Sequence, residues 1–387
     1  MHVVRAASWQ EVEPFVDQWD RLDSGVPFRS WPWLECWWRH YGSPHELYVL
    51  LVFDTSASAD APGALIGAAP WFLEACGPRG RVVRMLGSGE VCSDYMSLLA
   101  RTGREEDVAR AVAGWLTNAA EARNGAHNGD GPRNDSWDLL ELTGVELSDA
   151  TIAQLVSHLT ESGAGVHRRP GPNCWRIELA GSWDDYLGEL SKSHRKQVRR
   201  VERRLLESGR AVLHTAANAD ELERGLEILI DLHQRRRKSL GEPGCFASPQ
   251  FDGFVRDVAA RLFERGGLHL HWVEVEGRPA AAEFHLVGRD VVYAYQAGID
   301  PEQIDEEPGR IINVATIKKA LDEGRRGFDF LRGDEPYKAH WRAQPAASLE
   351  LRIVPDRAVA KVRHGIWLAG GTVKSWIKSG LNLSGMR

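Results

Sequence analysis

The chain has 387 residues (43.2 kDa), 43% of them apolar and 26% charged, with a formal net charge of −6. That composition belongs to a folded protein and excludes disordered, collagen-like and disulfide-scaffold classes. The length suffices for two ordinary domains, each with its own core, and no apolar run approaches the about 18–20 residues that span a bilayer.

The N-terminal stretch MHVVRAASWQEVEPF lacks the apolar core of a signal peptide. Five cysteines, at 36, 76, 92, 174 and 245, show no CxxC spacing and read as reduced thiols of a cytoplasmic protein. Charge is unevenly divided. Residues 1–180 hold 15 Arg, no Lys and 24 Asp+Glu, whereas residues 181–387 hold 33 Lys+Arg and 30 Asp+Glu. An acidic front and a mildly basic back argue against DNA as the main partner and allow a phosphate-bearing small molecule on the back half.

In chain order, Ser30 is a plausible N-cap for a helix over 31–41 (WPWLECWWRHY), with Pro32 in its first turn. Its four tryptophans are most simply core. Strands are expected at 47–53 and 64–73, a helix at 105–123 and a strand at 137–142; the Gly/Asn-rich loop 124–136 between the last two reads as mobile. A domain boundary falls near 165–180. Beyond it comes a strand at 174–179, then a long helix from Ser182 to Gly209 whose polar face, SKSHRKQVRRVERR, is strongly basic. A solvated helix face is the plain reading of that run, and an anionic-ligand surface the sharper one. Another helix is expected at 220–240. Strands at 268–275, 279–287 and 291–299, joined by short turns, form a meander. A helix at 310–323, a strand at 327–331 and a strand at 347–354 complete the second unit. The fold class is thus α+β, with two units and a tail.

Alternation along the meander sorts its side chains onto two faces. One carries His269, His271, Glu283, His285, Tyr293 and Tyr295, and the other is apolar. The polar face reads as the wet side of a sheet, as a metal site because HxH faces Glu and His, or as an active-site wall suited to general acid–base work. No further ligand spacing supports a metal, so none is expected. A one-residue slip in register would move Glu283 and His285 to the other face.

After strand 291–299 the chain passes through DPEQIDEEPG into the helix. Pro308 and Gly309 precede Arg310, Ile311 and Ile312, whose N–H groups are placed to point at an anion. The segment is neither a Walker loop nor a GxGxxG fingerprint, so nucleotide hydrolysis and a Rossmann fold have no support.

The stretch PGRIINVATIKKALDEGRRGFDFLRGDEPYKAHW strongly resembles the closing signature of CelD/BcsL-type acetyltransferases of the GNAT superfamily. The segments FRSWPWLECWWRHYG, SKSHRKQVRRVERRLLESG and DLHQRRRKSLGEPGCF resemble that family too, so the similarity covers most of the chain. The resemblance implies two GNAT-like folds in tandem: residues 1–170 structural or shaping the acceptor site, 171–355 catalytic and binding acetyl-CoA or another acyl-CoA, and 356–387 a basic amphipathic tail. It places the pantetheine along Gln296, Ala297, Gly298 and Ile299 and the pyrophosphate at Gly309, Arg310, Ile311 and Ile312. Amino sugars and polysaccharide precursors are the acceptors it implies. The glycine-rich (Q/R)xxGx(G/A) loop of standard GNAT enzymes is absent.

The tandem layout also resembles Fem-type aminoacyl transferases, which use aminoacyl-tRNA; an inert GNAT-like scaffold is the non-enzymatic alternative. For acyl transfer, Glu283 or His285 is the candidate base, Tyr295 a candidate acid, and the backbone N–H of Gly298 or Ile299 a candidate oxyanion donor. Asp334, Tyr337 and Lys338 follow the last central strand and would line the acceptor cleft, although a turn with a salt-bridged lysine accounts for GDEPYK equally well. The tail holds six Lys/Arg and one Asp with Val359, Val362, Ile366, Trp367, Val373 and Trp376, a composition compatible with weak membrane-surface contact.

Overall fold

The computed structural model describes residues 1–22, 25–54, 63–121, 135–366 and 368. The expected loop at 124–136 lies almost wholly outside them.

One series of elements occurs twice. The first begins with strand His2–Ala6, short helices within 9–20 and helix Trp31–Tyr41. Strands over 46–53, 65–75 and 81–85 follow, then helix Glu105–Glu121, strand Leu139–Glu146, helix Ala150–Glu161 and strand Gly165–Pro170. The second begins with strand Ala211–Thr215 and helices Ala219–Ser239 and Pro249–Glu264. The meander Leu268–Val275, Arg278–Val287 and Val291–Ile299 leads to helix Pro308–Asp322, strand Gly327–Arg332, the short helix Tyr337–His340 and strand Gln344–Ala346. In both series the strand after the long crossover helix pairs in parallel with the last meander strand, Val82 opposite Leu139 in one and Val291 opposite Gly327 in the other.

Two strands cross between the series. Cys174–Glu178 inserts into the second sheet between Gly327–Arg332 and Gln344–Ala346. Ser348–Val354 inserts into the first sheet between Leu139–Glu146 and Gly165–Pro170. The expectation that 347–354 completes the second unit is thereby corrected. Sequence alternation identifies a strand but not the sheet it joins.

The expected helix over 182–209 is broken for a local reason. Leu190 is extended (ψ 152°), and Ser191 starts a new helix by accepting from the His194 N–H, so the basic face begins at Lys192–Val201. Trp31, Trp33 and Trp37 are buried, as the core reading of their helix expects. Trp33 meets the rings of Phe254 and Tyr295 edge-on at 5.1 Å, so this first-unit helix also cements the second.

The seam carries a polar clamp as well. The Tyr95 hydroxyl donates to Asp329, which is fully buried, and Arg332 pairs with Asp94 at 2.7 Å while donating to the Ser93 carbonyl. Burial pushes the Asp329 carboxyl up from 3.8 to about 7. A carboxyl raised in the folded state favours folding while protonated; that contribution is complete below about pH 4 and is lost as pH rises through about 7. Urea unfolding should therefore show the wild type losing stability relative to Asp329→Asn across that window, and parallel curves would contradict a buried, raised carboxyl. Tyr95→Phe should cost about 1–3 kcal/mol, because it strips a donor from a buried acceptor.

Candidate active site

The expected pairing holds across the first hairpin of the meander. His269 lies opposite His285 and His271 opposite Glu283. Across the second it fails. The ladder starts one residue later than expected, at Val287–Val292, so Tyr293 faces Leu286 and His285 faces Ala294, and an extra residue at Tyr295 then sets Glu283 opposite Ala297. Both tyrosines therefore stand on the opposite face. This corrects the composition of the wall and removes Tyr295 from the vicinity of Glu283 and His285. The Tyr295 ring packs among Phe28, Trp33 and Phe284, and its hydroxyl donates to the Val91 carbonyl at 2.9 Å.

The remaining wall is not wet. Helix Pro308–Asp322 covers it, leaving His285 1% and Glu283 7% exposed. His285 Nε2 lies 2.8 Å from Glu283 Oε2, and Thr316 Oγ1, which donates to the Ile312 carbonyl at 2.9 Å, stands 3.5 Å from the same oxygen. Thr215 Oγ1 holds His271 Nδ1 at 2.9 Å, and burial keeps His271 well below the usual histidine range, hence neutral. His269 is the most exposed member of the wall, and Glu283 is the more exposed of the Glu283–His285 pair. Burial, and next to it the Glu283 charge, pushes the Tyr337 phenol up, so Tyr337 stays protonated at neutral pH.

An opening begins beside this pair. Strands Val291–Ile299 and Gly327–Arg332 pair only from Val291–Gly327 to Tyr293–Asp329, then diverge. The divergence has a local cause. Leu331 adopts a left-handed conformation (φ 56°), and its N–H donates to Asp329 Oδ1 at 2.7 Å, which turns the strand aside. Three carbonyls there, of Leu331, Arg332 and Gly333, accept from Lys338 Nζ at 2.9–3.1 Å. Lys338 is 2% exposed and also pairs with Glu335 at 2.8 Å. Its ammonium is thus committed to holding the turn. Asp334 accepts from Asn173 and Trp175 Nε1, which fastens the same turn to the crossing strand.

On the other face of the opening sits a group that sequence reasoning missed. Loop 88–95 of the first unit lies across it, tied down by Ser248 donating to Glu90, Tyr295 to Val91 and Arg332 to Ser93. His233 Nδ1 lies 3.0 Å from the Ala297 carbonyl, which can only accept, so Nδ1 carries the proton and the bare Nε2 faces Cys245 Sγ at 3.3 Å. Gln296 Oε1 is 3.7 Å from the same sulfur. Burial pushes the thiol up to about 12, so it remains protonated. The only sequence signal was the segment DLHQRRRKSLGEPGCF, in which the histidine and cysteine are 12 residues apart and belong to different elements.

Gly298 answers to packing. A Cβ there would meet His233 N at 2.6 Å and Leu229 O at 2.8 Å, so helix Ala219–Ser239 approaches this closely only over glycine. Ala297 and Ile299 flank it, Ala297 being exposed. At the helix start the N–H groups of Arg310 and Ile311 both donate to the Glu307 carbonyl, and the Glu307 carboxylate bridges Arg200 and Arg310. Ile312 is buried, whereas a Cβ at Gly309 would meet nothing within 4 Å.

Of the eight Lys and Arg residues over 189–210, four pair with acidic groups among the described residues: Arg199 with Asp184, Arg200 with Glu307, Arg204 with Glu306 and Arg210 with Glu276. Among the described residues no group of three or more His, Cys, Asp or Glu is disposed to hold a metal ion, and no helix is long and apolar enough to cross a membrane. Of the tail, the described residues include the exposed Val359, Val362 and Ile366; Trp367, Val373 and Trp376 lie outside the described residues.

Among known proteins, the family described as acetyltransferase (GNAT) domain matches residues 192–339. FemX has a similar fold, with a TM-score of 0.60 at 11% identity over 90% of this chain and 97% of FemX. A conserved protein of unknown function from Bacteroides thetaiotaomicron gives a TM-score of 0.53 at 13% identity over 91% of this chain and all of the other. No curated protein matches the sequence. The fold is therefore that of two GNAT-like units in tandem, the second holding the matched segment.

Lys338→Met should lower stability by at least about 2 kcal/mol, because three inward carbonyls lose a charged donor, and a urea midpoint at the wild-type value would contradict the holding role. Gly298→Ala should be more damaging still, with little folded protein in circular dichroism, since both close contacts are to backbone.

Proposed function

We propose that this chain is an acyltransferase that moves an acetyl or other acyl group from an acyl-CoA thioester to an amine or hydroxyl of a small molecule or glycan precursor. The observation that carries this reading is the divergence of strands Val291–Ile299 and Gly327–Arg332, with the Glu283–His285 pair on the adjoining strand Arg278–Val287, inside the segment that matches the GNAT domain. The stretch Gln296–Ile299, paired with Arg278–Val287 on one edge and open on the other, offers the pantetheine a backbone edge. The phosphates would be held by the guanidinium groups of Arg200 and Arg310 with the backbone of Gly309, displacing the Glu307 carboxylate from them.

Bound there, the thioester supplies an activated carbonyl. Glu283 takes the proton of the acceptor, held in place by His285. Backbone N–H groups at Gly298 or Ile299 steady the oxyanion. Tyr337 delivers a proton to the departing sulfur, the role expected of Tyr295 from sequence. Asp334 and Lys338 act by shaping the mouth. A cytoplasmic setting suits the free thiols and the donor.

A second reading, transfer of an aminoacyl group from aminoacyl-tRNA, is favoured by the fold shared with FemX. The acidic partners of Arg199, Arg200 and Arg204 weigh against it, since a polyanion on this face would have to displace them. The tail, basic and with an exposed apolar stripe, is proposed to give weak contact with an anionic membrane surface.

The test is CoA release from acetyl-CoA with a panel of amino sugars and amines. Glu283→Gln should lower turnover by about 100-fold or more, the scale of a lost general base, with acetyl-CoA affinity retained. Undiminished turnover in Glu283→Gln/His285→Ala would place the chemistry elsewhere.

A further inference from the structure

Away from the Glu283–His285 pair, a cavity of about 310 Å³ opens in the seam, with walls from both units. The first unit contributes Arg29, Tyr95, Glu146 and Asp149, and the second Arg176 and Tyr293. The second-unit wall follows from register. Arg176 and Tyr293 both lie opposite Asp329, so three neighbouring strands present Arg176, Asp329 and Tyr293 side by side on one face. Gly327 gives the arginine its place, for a Cβ there would stand 2.8 Å from Arg176 Nε and 3.1 Å from Nη2.

Some of these groups are already committed. Arg29 donates to the Tyr95 carbonyl and lies 3.6 Å from Asp149, while Asp149 caps the helix that follows it. The Tyr95 hydroxyl serves Asp329. Three are not. Tyr293 is 5% exposed, yet among the described residues its hydroxyl has no hydrogen-bond partner. Arg176 Nε is buried without a hydrogen bond; the exposed Glu178 carboxylate lies 3.2 Å from it, and Asp329 is opposite on the neighbouring strand but already accepts from Tyr95 and the Leu331 N–H. The Glu146 carboxylate has neither a hydrogen bond nor an ion pair among the described residues.

A guanidinium and a phenol on one wall and a carboxylate on the other, all short of partners, define the complementary ligand. A bare anion would be repelled by Glu146 and Asp149, and a bare amine would leave Arg176 and Tyr293 unanswered. A molecule carrying both an ammonium and a carboxylate satisfies all three, and the volume suits one of amino-acid size. We propose that this seam cavity is a binding site for a small zwitterion of the α-amino-acid class, its carboxylate on Arg176 and Tyr293 and its ammonium on Glu146. The proposal is independent of the acyl-transfer reading, and its test uses no acyl donor.

The full chain is titrated calorimetrically with each of the proteinogenic L-amino acids, and the tightest binder is compared with its decarboxylated amine and its N-acetyl derivative. At least one amino acid should bind saturably, with both derivatives weaker by about tenfold or more, the scale of one charge-assisted hydrogen bond. Glu146→Gln and Arg176→Gln should each weaken binding by a similar factor, and Tyr293→Phe, which keeps the ring in place, by a few-fold. Thermal unfolding of each variant verifies that it is folded. Absence of binding by every amino acid at millimolar concentration would overturn the proposal. So would equal binding of the amine and N-acetyl forms, or unchanged affinity in folded Glu146→Gln and Arg176→Gln.

Discussion

Reciprocal exchange of strands is the constraint from which the rest of this structure follows. Cys174–Glu178 leaves the first half of the chain to sit between two strands of the second sheet, and Ser348–Val354 returns to sit between two strands of the first. Each exchanged strand is hydrogen-bonded on both edges. Moving one unit against the other would therefore break ladders within a sheet instead of merely separating packed surfaces, and the buried backbone groups exposed would each need a new partner. Fixed in this way, the units can share polar groups across the seam. Loop 88–95 reaches the mouth of the second unit's opening, and Arg176, carried on an exchanged strand, lines one cavity with Glu146 of the first sheet.

Within the second unit, a few backbone departures convert a regular sheet into a site. A one-residue shift in register at the turn before Val291 moves two tyrosines off the His/Glu face, and the left-handed turn at Leu331 drives strand Gly327–Arg332 away from its neighbour. Such a turn points carbonyls inward. Lys338 answers them at the expense of burying an ammonium, a cost that three carbonyls and Glu335 offset only because all are in place together. The opening is thus built from strain and its compensation.

Much of this is legible in the sequence because it is local. The tryptophan helix, the meander and the pairing of His271 with Glu283 follow from periodicity and short turns. The bulge is not legible, since one inserted residue leaves the alternation of VVYAYQAGI unchanged to the eye while shifting which partners it meets. The exchange is hidden for a related reason: the pattern ASLELRIV fits either sheet, and only long-range pairing assigns it to the first. The break at Leu190 is marked in the sequence only by Gly188, Ser191 and Ser193, residues that equally fit the solvated face of one continuous helix. His233 and Cys245 belong to different elements, and Gly298 lets the helix that carries His233 lie close enough for its Nδ1 to reach the Ala297 carbonyl. The helix start at Pro308 is plain from its Pro-Gly pair, whereas nothing local shows that the Glu307 carboxylate occupies Arg200, more than a hundred residues earlier in the chain.

Whether the opening in the second unit receives an acyl-CoA is the point on which the proposed chemistry rests. Calorimetric titration of the full chain with acetyl-CoA addresses this directly, with aminoacyl-tRNA titrated in parallel. One saturable acetyl-CoA site per chain, weakened when Arg200 and Arg310 are both replaced by Gln, is the predicted result. Binding of aminoacyl-tRNA with none of acetyl-CoA, or binding of neither, would contradict it.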